Sequence, residues 1–442
     1  MTLQNLATIM RENGVCGAGG AGFPSYAKLN DKADTIILNC AECEPLLRLH
    51  RQMLEKYAFE ILTALDTVAQ AVGADNIIIA VKRSYKDAIA AVESNLASFK
   101  KARIGYLPEA YPSGDEVVTI YETTGRVIKP GKLPITEGVI VYNVETMFNT
   151  YNALNNVPVT EKYVTVTGAV KNPVTVKVPL GTDFKTLIDL AGGATIEDYE
   201  IINGGPMTGG LAGKFELVTK TSNALIVLPK DHYIVEKRKT RDSISLKRAM
   251  ASCCQCRTCT DLCPRNLLGH PIDPANFMKS ASSGNAKDVK TFLDTFSCCS
   301  CGVCELYACR QELSPRSLIA AYKAGLRANG VTMPQDMEYE NVSTERPYRI
   351  VPMGRLISRI GLKPYNKPAP LDERAVMPDV LKIKLSQHIG APAKPVVKKG
   401  DKVTKGQILA ASDADKLGVN IHCPMDGTVR DINDTFITVI RG

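Results

Sequence analysis

The sequence predicts a multidomain fold that combines α/β and α+β parts. With 442 residues, the chain is longer than one ordinary core allows, and length alone leads us to expect about three compact units. Strand and helix patterns alternate over the first 150 residues, which is typical of an α/β domain. Short strands follow from residue 163, and ten of the 14 cysteines lie in two later runs. We therefore expect the chemistry of the protein to centre on these two runs.

The composition is that of a folded protein that works in water. Apolar residues make up 45% of the chain and charged residues 23%, which is typical of globular proteins. The sequence has neither a run of roughly 18 to 20 apolar residues nor a secretory leader, so we expect a cytoplasmic protein with no membrane span. The net charge of +8 is scattered along the chain, which argues against nucleic acid as a partner.

A glycine-rich loop follows the first predicted helix. The apolar spacing of residues 3–10 predicts this helix, and the loop GAGGAG spans residues 17–22. The loop formally matches the dinucleotide fingerprint G-x-G-x-x-G, which needs a strand before it and a helix directly after it. Here a helix precedes the loop and Pro24 follows it, so we reject a Rossmann fold. The loop still allows a phosphate or a flat ring to approach its backbone N–H groups.

Polar turns follow the predicted strands of this region. A strand over 35–38 leads into the turn NCAECEP at 39–45, and a strand over 139–146 has a polar end. Ligand crevices form at the carboxyl ends of parallel strands, so these turns mark a candidate binding site. Between them we predict a helix over 51–72, a strand over 77–81, a helix over 85–100 and a polar turn, YPSGDE, at 111–116.

Four motifs resemble the flavin and NADH fold of the respiratory complex I flavoprotein subunit and of the C subunit of the Rnf ion-pumping complex. They are GAGGAGFPS with Lys28, NCAECEP, YPSGDE and YNVET, and the resemblance implies an FMN and NADH domain over residues 1–157. Ala18 stands where the complex I loop has arginine, which implies weaker phosphate contacts. Matching positions assign the nicotinamide nucleotide to Phe23 and to the catalytic candidates Glu44 and Glu116. They assign FMN to Gly17, Gly19, Gly20, Lys28, Asn39, Tyr111, Gly114, Asn143 and Thr146.

Short strands replace the alternating pattern from Tyr163 onward. The segments VTVTGAV and VTVKVPLG read as strands, and the helix TDFKTLIDLAGG and the turn NGGPMTGG follow them. This order resembles the soluble-ligand-binding β-grasp domain that follows the flavin fold in the same families, and we assign it residues 158–230. Packing between domains and docking of a cofactor are both open as its role.

The two cysteine runs have the spacing of iron–sulfur ligands. The first run follows the pattern C-x2-C-x2-C-x3-C-P of bacterial [4Fe–4S] ferredoxins, and the second differs by a final gap of four residues. Zinc bound by four cysteines is the competing interpretation. Two successive two-residue gaps in both runs favour two [4Fe–4S] clusters, in a helical ferredoxin-like module over residues 231–332. The predicted ligands are Cys253, Cys256, Cys259, Cys263, Cys298, Cys301, Cys304 and Cys309.

The fourth cysteines are expected to exchange between the two clusters. In two-cluster ferredoxins the last cysteine of each run binds the other cluster. The first cluster would then use Cys309 and the second Cys263. The longer gap before Cys309 leaves open that this residue turns away and leaves a three-cysteine site. Around the runs we predict a helix over 274–296 and another from Pro315 toward Gly330.

Six of the 14 cysteines lie outside the predicted ligand sets, and four of them form pairs or lie within the runs. Cys254 and Cys299 are spare, and we expect them to be buried as small apolar residues. Cys40 and Cys43 form a C-x-x-C pair that is either structural or a redox-active dithiol. The similar acidic turn of the Rnf subunit favours the structural role.

The tail combines a linker with a small β domain. Residues 331–375 hold six prolines and little periodicity, so we predict an extended linker or wrap over 333–376. The segments VKKGDKVTKGQILA and IHCPMDGTVRDI resemble the two halves of a barrel-sandwich hybrid of the lipoyl and biotinyl type, assigned to residues 377–442. Lys416 lies where lipoyl domains carry their modified lysine, but the similar domain of the Rnf C subunit is unmodified.

The order of the domains resembles that of the cobalamin reductases of propanediol-utilising bacterial microcompartments. In the Rnf C subunit the hybrid domain precedes the flavin fold, whereas here it follows the cysteine runs. The resemblance implies that NADH supplies electrons for the reduction of cob(III)alamin and then cob(II)alamin, in support of an adenosylcobalamin-dependent diol dehydratase. It also implies a location within a microcompartment, with an adenosyltransferase and shell proteins as partners.

Two other classes of function stay open. One is a related NADH dehydrogenase subunit, of a microcompartment or of the Rnf type, that passes electrons to a different acceptor. The other is a scaffold without enzymatic activity that carries vestigial clusters. Oxidation of NADH, measured with and without a cobalamin, separates the three.

Overall fold

The N-terminal domain alternates helices and strands. The computed structural model describes residues 1–285 and 287–442, and it confirms the predicted combination of α/β and α+β parts. The elements of this domain are α1 (Leu3–Glu12), β1 (Thr35–Cys40), α2 (Leu49–Lys56), α3 (Ala58–Val72), β2 (Asn76–Lys82), α4 (Lys86–Glu93), β3 (Ala102–Leu107), β4 (Ala110–Tyr111), α5 (Glu116–Thr124), β5 (Val139–Asn143) and α6 (Val144–Leu154).

Four of these strands form a parallel sheet that is covered on both faces. The strand order is β3-β2-β1-β5, so β1 and β5 are neighbours although they are far apart in the chain. Ile36 and Leu38 of β1 point to the face covered by α1, α2, α3 and α6, whereas Ile37 packs with residues of α5 on the other face. Because all four strands are parallel, their carboxyl ends open at the same edge.

Three element boundaries differ from the sequence-based predictions. The helix predicted over 51–72 is two helices that meet at Tyr57, whose backbone leaves the helical conformation. The helix predicted over 85–100 is α4 followed by a short 3₁₀ turn, Leu96–Ser98. The strand predicted over 139–146 ends at Asn143, because the Asn143 side chain accepts a hydrogen bond from the Glu145 N–H and caps α6. The polar end of that strand is therefore the start of a helix.

The second domain is a mixed sheet with one helix. Its sheet has the order β12-β7-β6-β10-β8-β9, in which β12 comes from a later part of the chain described below. Phe148 of α6 and Tyr163 of the second domain lie edge to face with ring centroids 6.3 Å apart, within one hydrophobic cluster that spans both domains. The two domains therefore share a core. The elements of this domain are β6 (Glu161–Gly168), β7 (Val174–Pro179), α7 (Phe184–Leu190), β8 (Tyr199–Asn203), β9 (Gly210–Ala212) and β10 (Ala224–Pro229).

The cysteine-rich module is helical, as predicted. The helix predicted over 274–296 includes residue 286, which lies outside the described residues, and the described part contains two helices rather than one. Phe277, Leu318 and Ile319 are buried at the centre of the module. Its helices are α8 (Tyr233–Lys239), α9 (Asp242–Ser252), α10 (Thr258–Asp261), α11 (Pro274–Ser283), α12 (Val289–Asp294) and α13 (Pro315–Ala328), with a π-helical turn at Val303–Ala308.

The predicted linker wraps around the domains that precede it. It contains β11 (Val351–Pro352), α14 (Met353–Arg359) and β12 (Leu371–Asp372). Strand β11 pairs with β4 of the N-terminal domain, and β12 pairs with β7 of the second domain. Leu356 of α14 is fully buried in a cluster that includes Tyr111, Ile226 and Leu306, one from each preceding unit. The linker thus helps to bind three units into one body.

The C-terminal domain is a sandwich of two small sheets. The sheets have the orders β13-β19-β18-β15 and β14-β16-β17, and apolar residues of both are buried between them. Lys416 lies between β16 and β17, and its side chain is 61% exposed. The strands are β13 (Val380–Lys384), β14 (Lys394–Pro395), β15 (Lys402–Val403), β16 (Ile408–Ala411), β17 (Ile421–His422), β18 (Gly427–Ile432) and β19 (Phe436–Arg441).

A buried lysine joins three of these units. Lys220, in the second domain, is 2% exposed, and its Nζ donates to the carbonyl oxygens of Gly14 at 2.7 Å and Asn420 at 2.9 Å. Gly14 belongs to the N-terminal domain and Asn420 to the C-terminal domain. Burial lowers the pKa of Lys220 to about 8. In the described part of the chain, no helix is both long and apolar enough to cross a bilayer.

Candidate functional site

A cleft of ≈ 490 Å³ opens at the carboxyl ends of β1 and β5. It lies where the glycine-rich loop, the turn after β1 and the start of α5 meet. The sequence-based assignment brought together residues that are up to 129 positions apart, from Gly17 to Thr146, and the structure places nearly all of them here. Those that line the cleft are Gly17, Gly19, Gly20, Phe23, Lys28, Asn39, Glu44, Gly114, Glu116, Asn143 and Thr146.

The glycine-rich loop is held in a fixed shape by hydrogen bonds to its ends. The Gly17 N–H donates to the Phe23 carbonyl at 2.8 Å, and the Ala18 N–H donates to Thr146 Oγ1 at 2.9 Å. Gly20 has a φ of 67°, and a Cβ atom added there would meet nothing within 4 Å, so its Cα side opens toward free space. The loop therefore offers backbone to a ligand without side chains in the way.

A lysine and a glutamate that both line the cleft form an ion pair with each other. Lys28 Nζ lies 3.1 Å from Glu116 Oε1 and donates to the Val141 carbonyl at 2.9 Å. Both side chains are partly exposed, at 31% and 40%. Glu116 is the first residue of α5, whose N-cap is Asp115. Charge of both signs is thus available beside the glycine-rich loop.

Asn39 fixes the turn that carries Gly114. Its Nδ2 donates to the Gly114 carbonyl at 3.0 Å, and its Oδ1 accepts from the Ala41 N–H at 3.1 Å. A Cβ atom at Gly114 would lie 3.0 Å from Cys43 Sγ and 3.1 Å from the Ala41 side chain. The close packing explains why glycine is needed at this point of the turn.

Glu44 lies where the N-terminal domain meets the second domain. Its carboxylate accepts hydrogen bonds from the Met207 N–H at 2.8 Å and from Thr208 Oγ1 at 2.6 Å. Both donors belong to the turn NGGPMTGG, which the sequence suggested only as a turn. Burial raises the pKa of Glu44, and the hydrogen bond from Thr208 opposes this effect.

Two polar residues of the cleft, His50 and Asn223, lie outside the sequence motifs and were not predicted. His50 of α2 lies with its Nε2 3.0 Å from Asn143 Nδ2, and burial lowers its pKa to about 3, so its ring is neutral. Asn223 reaches the cleft from the second domain. No local motif marks either residue, because His50 lies in an ordinary helix and Asn223 comes from another domain.

Tyr111 does not line the cleft. Its side chain is buried, and its hydroxyl donates to the Cys301 carbonyl at 2.7 Å. The residue predicted to contact FMN therefore connects the N-terminal domain to the second cysteine run. Its role toward a flavin stays a prediction.

The cysteines of the two runs form two separate groups. The first group, defined as Cys253, Cys256, Cys259 and Cys309, lines one small cavity together with the spare Cys254. Burial, together with the neighbouring Cys309 and Cys256, raises the pKa of Cys259 to about 12. Cys309 therefore lies among the cysteines of the first run, despite the longer gap that precedes it.

The second group is defined as Cys263, Cys298, Cys301 and Cys304. Burial raises the pKa of the Cys304 thiol, and Cys298 and Cys263 add to the effect. Cys263 thus lies with the cysteines of the second run rather than with its own. In the residues that the structure describes, no three Cys, His, Asp or Glu side chains converge closely enough for a single metal ion.

The two spare cysteines have different surroundings. Cys254 is exposed, which corrects the expectation that it is buried as a small apolar residue. The loop between α9 and α10 lies at the surface, and its residues 254–257 are all exposed. Cys299 is only partly exposed. Near it, Arg265 forms an ion pair of 2.9 Å with Asp115, the N-cap of α5.

The fold and the site define the class of the protein as an oxidoreductase with flavin and iron–sulfur chemistry. Residues 10–152 match the Nuo51 FMN-binding domain, and residues 252–314 match the 4Fe-4S dicluster domain. Residues 163–210 match the SLBB domain, and residues 362–441 match the RnfC barrel sandwich hybrid domain. Apart from Asn223, the residues that line the cleft lie within the first matched region, and the eight cysteines of both groups lie within the dicluster region.

The chain belongs to the family of the PduS cobalamin reductases. It is 40% identical to the cobalamin reductase PduS of Citrobacter freundii, with 100% of this chain and 98% of the relative covered. It is also 40% identical to the cobalamin reductase PduS of Salmonella typhimurium, over 98% of this chain and 96% of that protein. The C subunit of the Na⁺-translocating ferredoxin:NAD⁺ oxidoreductase complex of Acetobacterium woodii is 32% identical, over 62% of each chain.

Proposed function

We propose that the protein takes electrons from NADH and reduces cob(III)alamin and then cob(II)alamin. The observation that carries the proposal is the hydrogen bond from Tyr111 to the Cys301 carbonyl, at 2.7 Å. It joins the domain that holds the flavin cleft directly to the second thiol group. FMN, when bound, converts the two electrons of a hydride into single electrons, and iron–sulfur clusters carry one electron at a time. The acceptor is inferred from the PduS relatives.

We assign the first cluster to the first thiol group and the second cluster to the second thiol group. Five thiols line the cavity, and the four of the first group have the ferredoxin spacing that suits a [4Fe–4S] cluster, which leaves Cys254 as the spare. The assignment exchanges Cys309 and Cys263 between the runs, as in two-cluster ferredoxins. Tyr111, through the Cys301 carbonyl, adds a hydrogen-bonded neighbour to the second group only.

We assign the cleft to FMN and its open side to NADH. The glycine-rich loop, Lys28 and Asn39 offer N–H groups to the flavin, and Phe23 is 37% exposed, so its ring is free to stack on a nicotinamide nucleotide. Glu116 and Glu44, which also line the cleft, are the acidic groups that we assign to this nucleotide. The partly exposed Lys28–Glu116 pair is the part of the cleft that an incoming ligand can rearrange at low cost.

Anaerobic stopped-flow kinetics test the proposal. The iron-loaded and FMN-loaded protein is mixed with NADH in the presence and absence of hydroxocobalamin, and both NADH and the cobalamin spectrum are followed. We expect NADH oxidation that hydroxocobalamin accelerates, with the appearance of cob(II)alamin. Oxidation that hydroxocobalamin does not accelerate would point to a different acceptor, and no oxidation at all would favour a scaffold.

Glu116→Gln provides a matched variant for the same assay. It removes the carboxylate charge beside Lys28 and keeps the size of the side chain. If Glu116 contacts the nucleotide, the variant should raise the KM for NADH and leave the one-electron transfer to hydroxocobalamin from dithionite-reduced protein unchanged. An unchanged KM would remove Glu116 from the nucleotide site.

A second acceptor is supported by the similarity to the Rnf-type subunit. That relative is part of a ferredoxin:NAD⁺ oxidoreductase complex and shares 32% identity over 62% of this chain. A ferredoxin is therefore the alternative partner. Replacing hydroxocobalamin by an oxidised ferredoxin in the stopped-flow assay distinguishes the two.

We also propose that the protein works inside a bacterial microcompartment in the cytoplasm. The proposal rests on the similarity to the PduS proteins over the full chain. An adenosyltransferase and shell proteins are the proposed partners. Co-sedimentation of the protein with purified microcompartments tests this location, and recovery only in the supernatant would contradict it.

A further inference from the structure

A buried ion pair lies behind the flavin cleft. Lys162 and Glu145 are both 1% exposed, and the Lys162 ammonium donates to the Glu145 carboxylate. It also donates to the Tyr163 carbonyl at 2.9 Å and to Asn223 Oδ1 at 3.0 Å. An ammonium group has three N–H donors and no acceptor. Each donor of Lys162 therefore has a partner, and the Glu145 charge compensates the buried lysine.

This pair fixes the direction of the Asn223 amide. Because Lys162 can only donate, Asn223 must turn its oxygen toward Lys162 and its nitrogen away from it. On that side lies the glycine-rich loop, where a Cβ atom added to Gly19 would come within 2.8 Å of Asn223 Nδ2. Asn223 also lines the cleft. Two N–H groups of fixed direction are thus presented at the glycine-rich loop from the opposite domain.

Asn143, the other amide beside Gly19, is already engaged. Its Oδ1 accepts from the Glu145 N–H at 2.9 Å, and its Nδ2 lies 3.0 Å from His50 Nε2. Glu145 therefore orients both amides, Asn143 through its backbone and Asn223 through Lys162. Within residues 1–285 and 287–442, no acceptor forms a hydrogen bond with Asn223 Nδ2, so this donor is available to a ligand.

We propose that Asn223 is a flavin-binding residue contributed by the second domain, with the Glu145–Lys162 pair as its positioning group. Its Nδ2 donates to an acceptor oxygen of FMN, either a ring carbonyl or the phosphate. The inference rests on the proposed function in that FMN occupies the cleft. On this proposal the shared core of the two domains has a functional role, because separation of the domains would remove one side of the flavin site.

Titration of flavin-depleted protein with FMN tests the proposal, with quenching of flavin fluorescence as the readout. Asn223→Asp keeps the shape and the bond to Lys162 but replaces the donor with a carboxylate oxygen. We expect the Kd for FMN to rise about tenfold or more, because a hydrogen bond is lost and an acceptor faces an acceptor. Ser222→Ala is the matched control, since Ser222 lies in the same turn and bonds to the Thr219 N–H instead of facing the cleft.

Riboflavin, which lacks the phosphate, separates the two possible acceptors. An equal loss of affinity for FMN and riboflavin in Asn223→Asp assigns the contact to the ring, and a loss for FMN alone assigns it to the phosphate. Iron content and far-UV circular dichroism that match the unaltered protein exclude a folding defect. An unchanged Kd for both flavins would overturn the role of Asn223, whereas an unaltered protein that binds no FMN would overturn the flavin assignment of the cleft as well.

Lys162→Met provides a second measurement on the positioning pair. Removal of the ammonium frees the Asn223 amide to rotate, and we expect weaker FMN binding in this variant too. If the buried Glu145 carboxylate destabilises the fold, the double variant Glu145→Gln/Lys162→Met removes both charges and is measured instead. Flavin affinity equal to that of the unaltered protein in the folded variant would remove the pair from the site.

Discussion

The two thiol groups have the same number of cysteines but different surroundings. In the first group, Cys256 is exposed and the other members are partly exposed or lie at a small surface cavity. In the second group, Cys263 and Cys304 are buried, and Tyr111 and Arg265 link the group to the N-terminal domain. One group therefore faces solvent, and the other packs against the N-terminal domain.

The ligand pattern alone does not distinguish the two groups, whereas their different surroundings suit them to two different roles in electron transfer. Cluster potentials depend on solvent exposure and on hydrogen bonds around the sulfurs, so two clusters in unlike surroundings are expected to differ in potential. The buried group is placed to exchange electrons with the flavin domain. The exposed group is the part of the relay that an acceptor from solution can reach. Substitutions close to one group or to the other test this comparison.

The largest expected effect comes from the exchanged cysteines. Cys309→Ala should remove the first cluster and Cys263→Ala the second, so each variant should lose about half of the bound iron. Their EPR spectra after reduction should be complementary, with each variant lacking the signal that the other retains. Cys16→Ala, a buried cysteine outside both groups, should keep all of the iron. Full iron content in Cys309→Ala would show that the first site does not use Cys309.

The arginines beside the two groups should differ in their contribution to stability. Arg265 and Asp115 are 16% and 11% exposed, so Arg265→Met leaves a nearly buried carboxylate unpaired and should cost about 3 kcal/mol. Arg257, near the first group, is 63% exposed and lies 3.6 Å from Asp273, so Arg257→Met should cost less than about 1 kcal/mol. Anaerobic urea unfolding of both variants measures the difference. Equal costs would mean that the second group is not tied to the N-terminal domain through Arg265.

Removal of one hydroxyl should affect only the second group. Tyr111→Phe deletes the hydrogen bond to the Cys301 carbonyl and should lower the free energy of unfolding by about 1 kcal/mol. The EPR signal of the second cluster should shift, and that of the first should not. Tyr85→Phe is the control, because it loses a buried hydrogen bond to the Ala41 carbonyl at 3.0 Å without contact to either group. A change in both EPR signals would contradict the separation of the groups.

The smallest effect is expected for the spare cysteine of the first run. Cys254→Ser should keep all of the iron and change stability by less than about 0.5 kcal/mol, because the side chain is exposed. Anaerobic alkylation of the loaded protein should modify Cys254 before Cys299, as peptide mass spectrometry can measure. Loss of iron in Cys254→Ser would make Cys254 a ligand and would change the composition of the first group.

Local patterns in the sequence predicted most elements of the fold. Glycine, proline and apolar spacing act over a few residues, so the strands, the glycine-rich loop and the helical module could be predicted. The break at Tyr57 could not, because the apolar pattern continues through it and only the backbone conformation changes. Helix α14 could not either, because it has seven residues between prolines and is stabilised by burial of Leu356 in a core built by other domains.

The candidate site could be predicted as far as its motifs extend. Spacing alone placed the cysteines in two runs, and resemblance placed the flavin residues at the strand ends. The contributions of His50 and Asn223 depend on long-range contacts. His50 lies 93 positions from its partner Asn143, and Asn223 lies 61 positions from its partner Lys162. The position of Tyr111 against the second group likewise arises from packing between units. Such contacts leave no local signal in one sequence.

The contacts of Lys220 show that the order of the domains in the chain differs from their arrangement in space. Lys220 holds Gly14, close to the first helix, against Asn420 of the C-terminal domain, so distant parts of the chain are neighbours in the fold. A domain that packs beside Gly14 can be joined to the chain from either direction without giving up this interface. The position of this domain in the chain could therefore change, through a new connection alone, without a change of architecture.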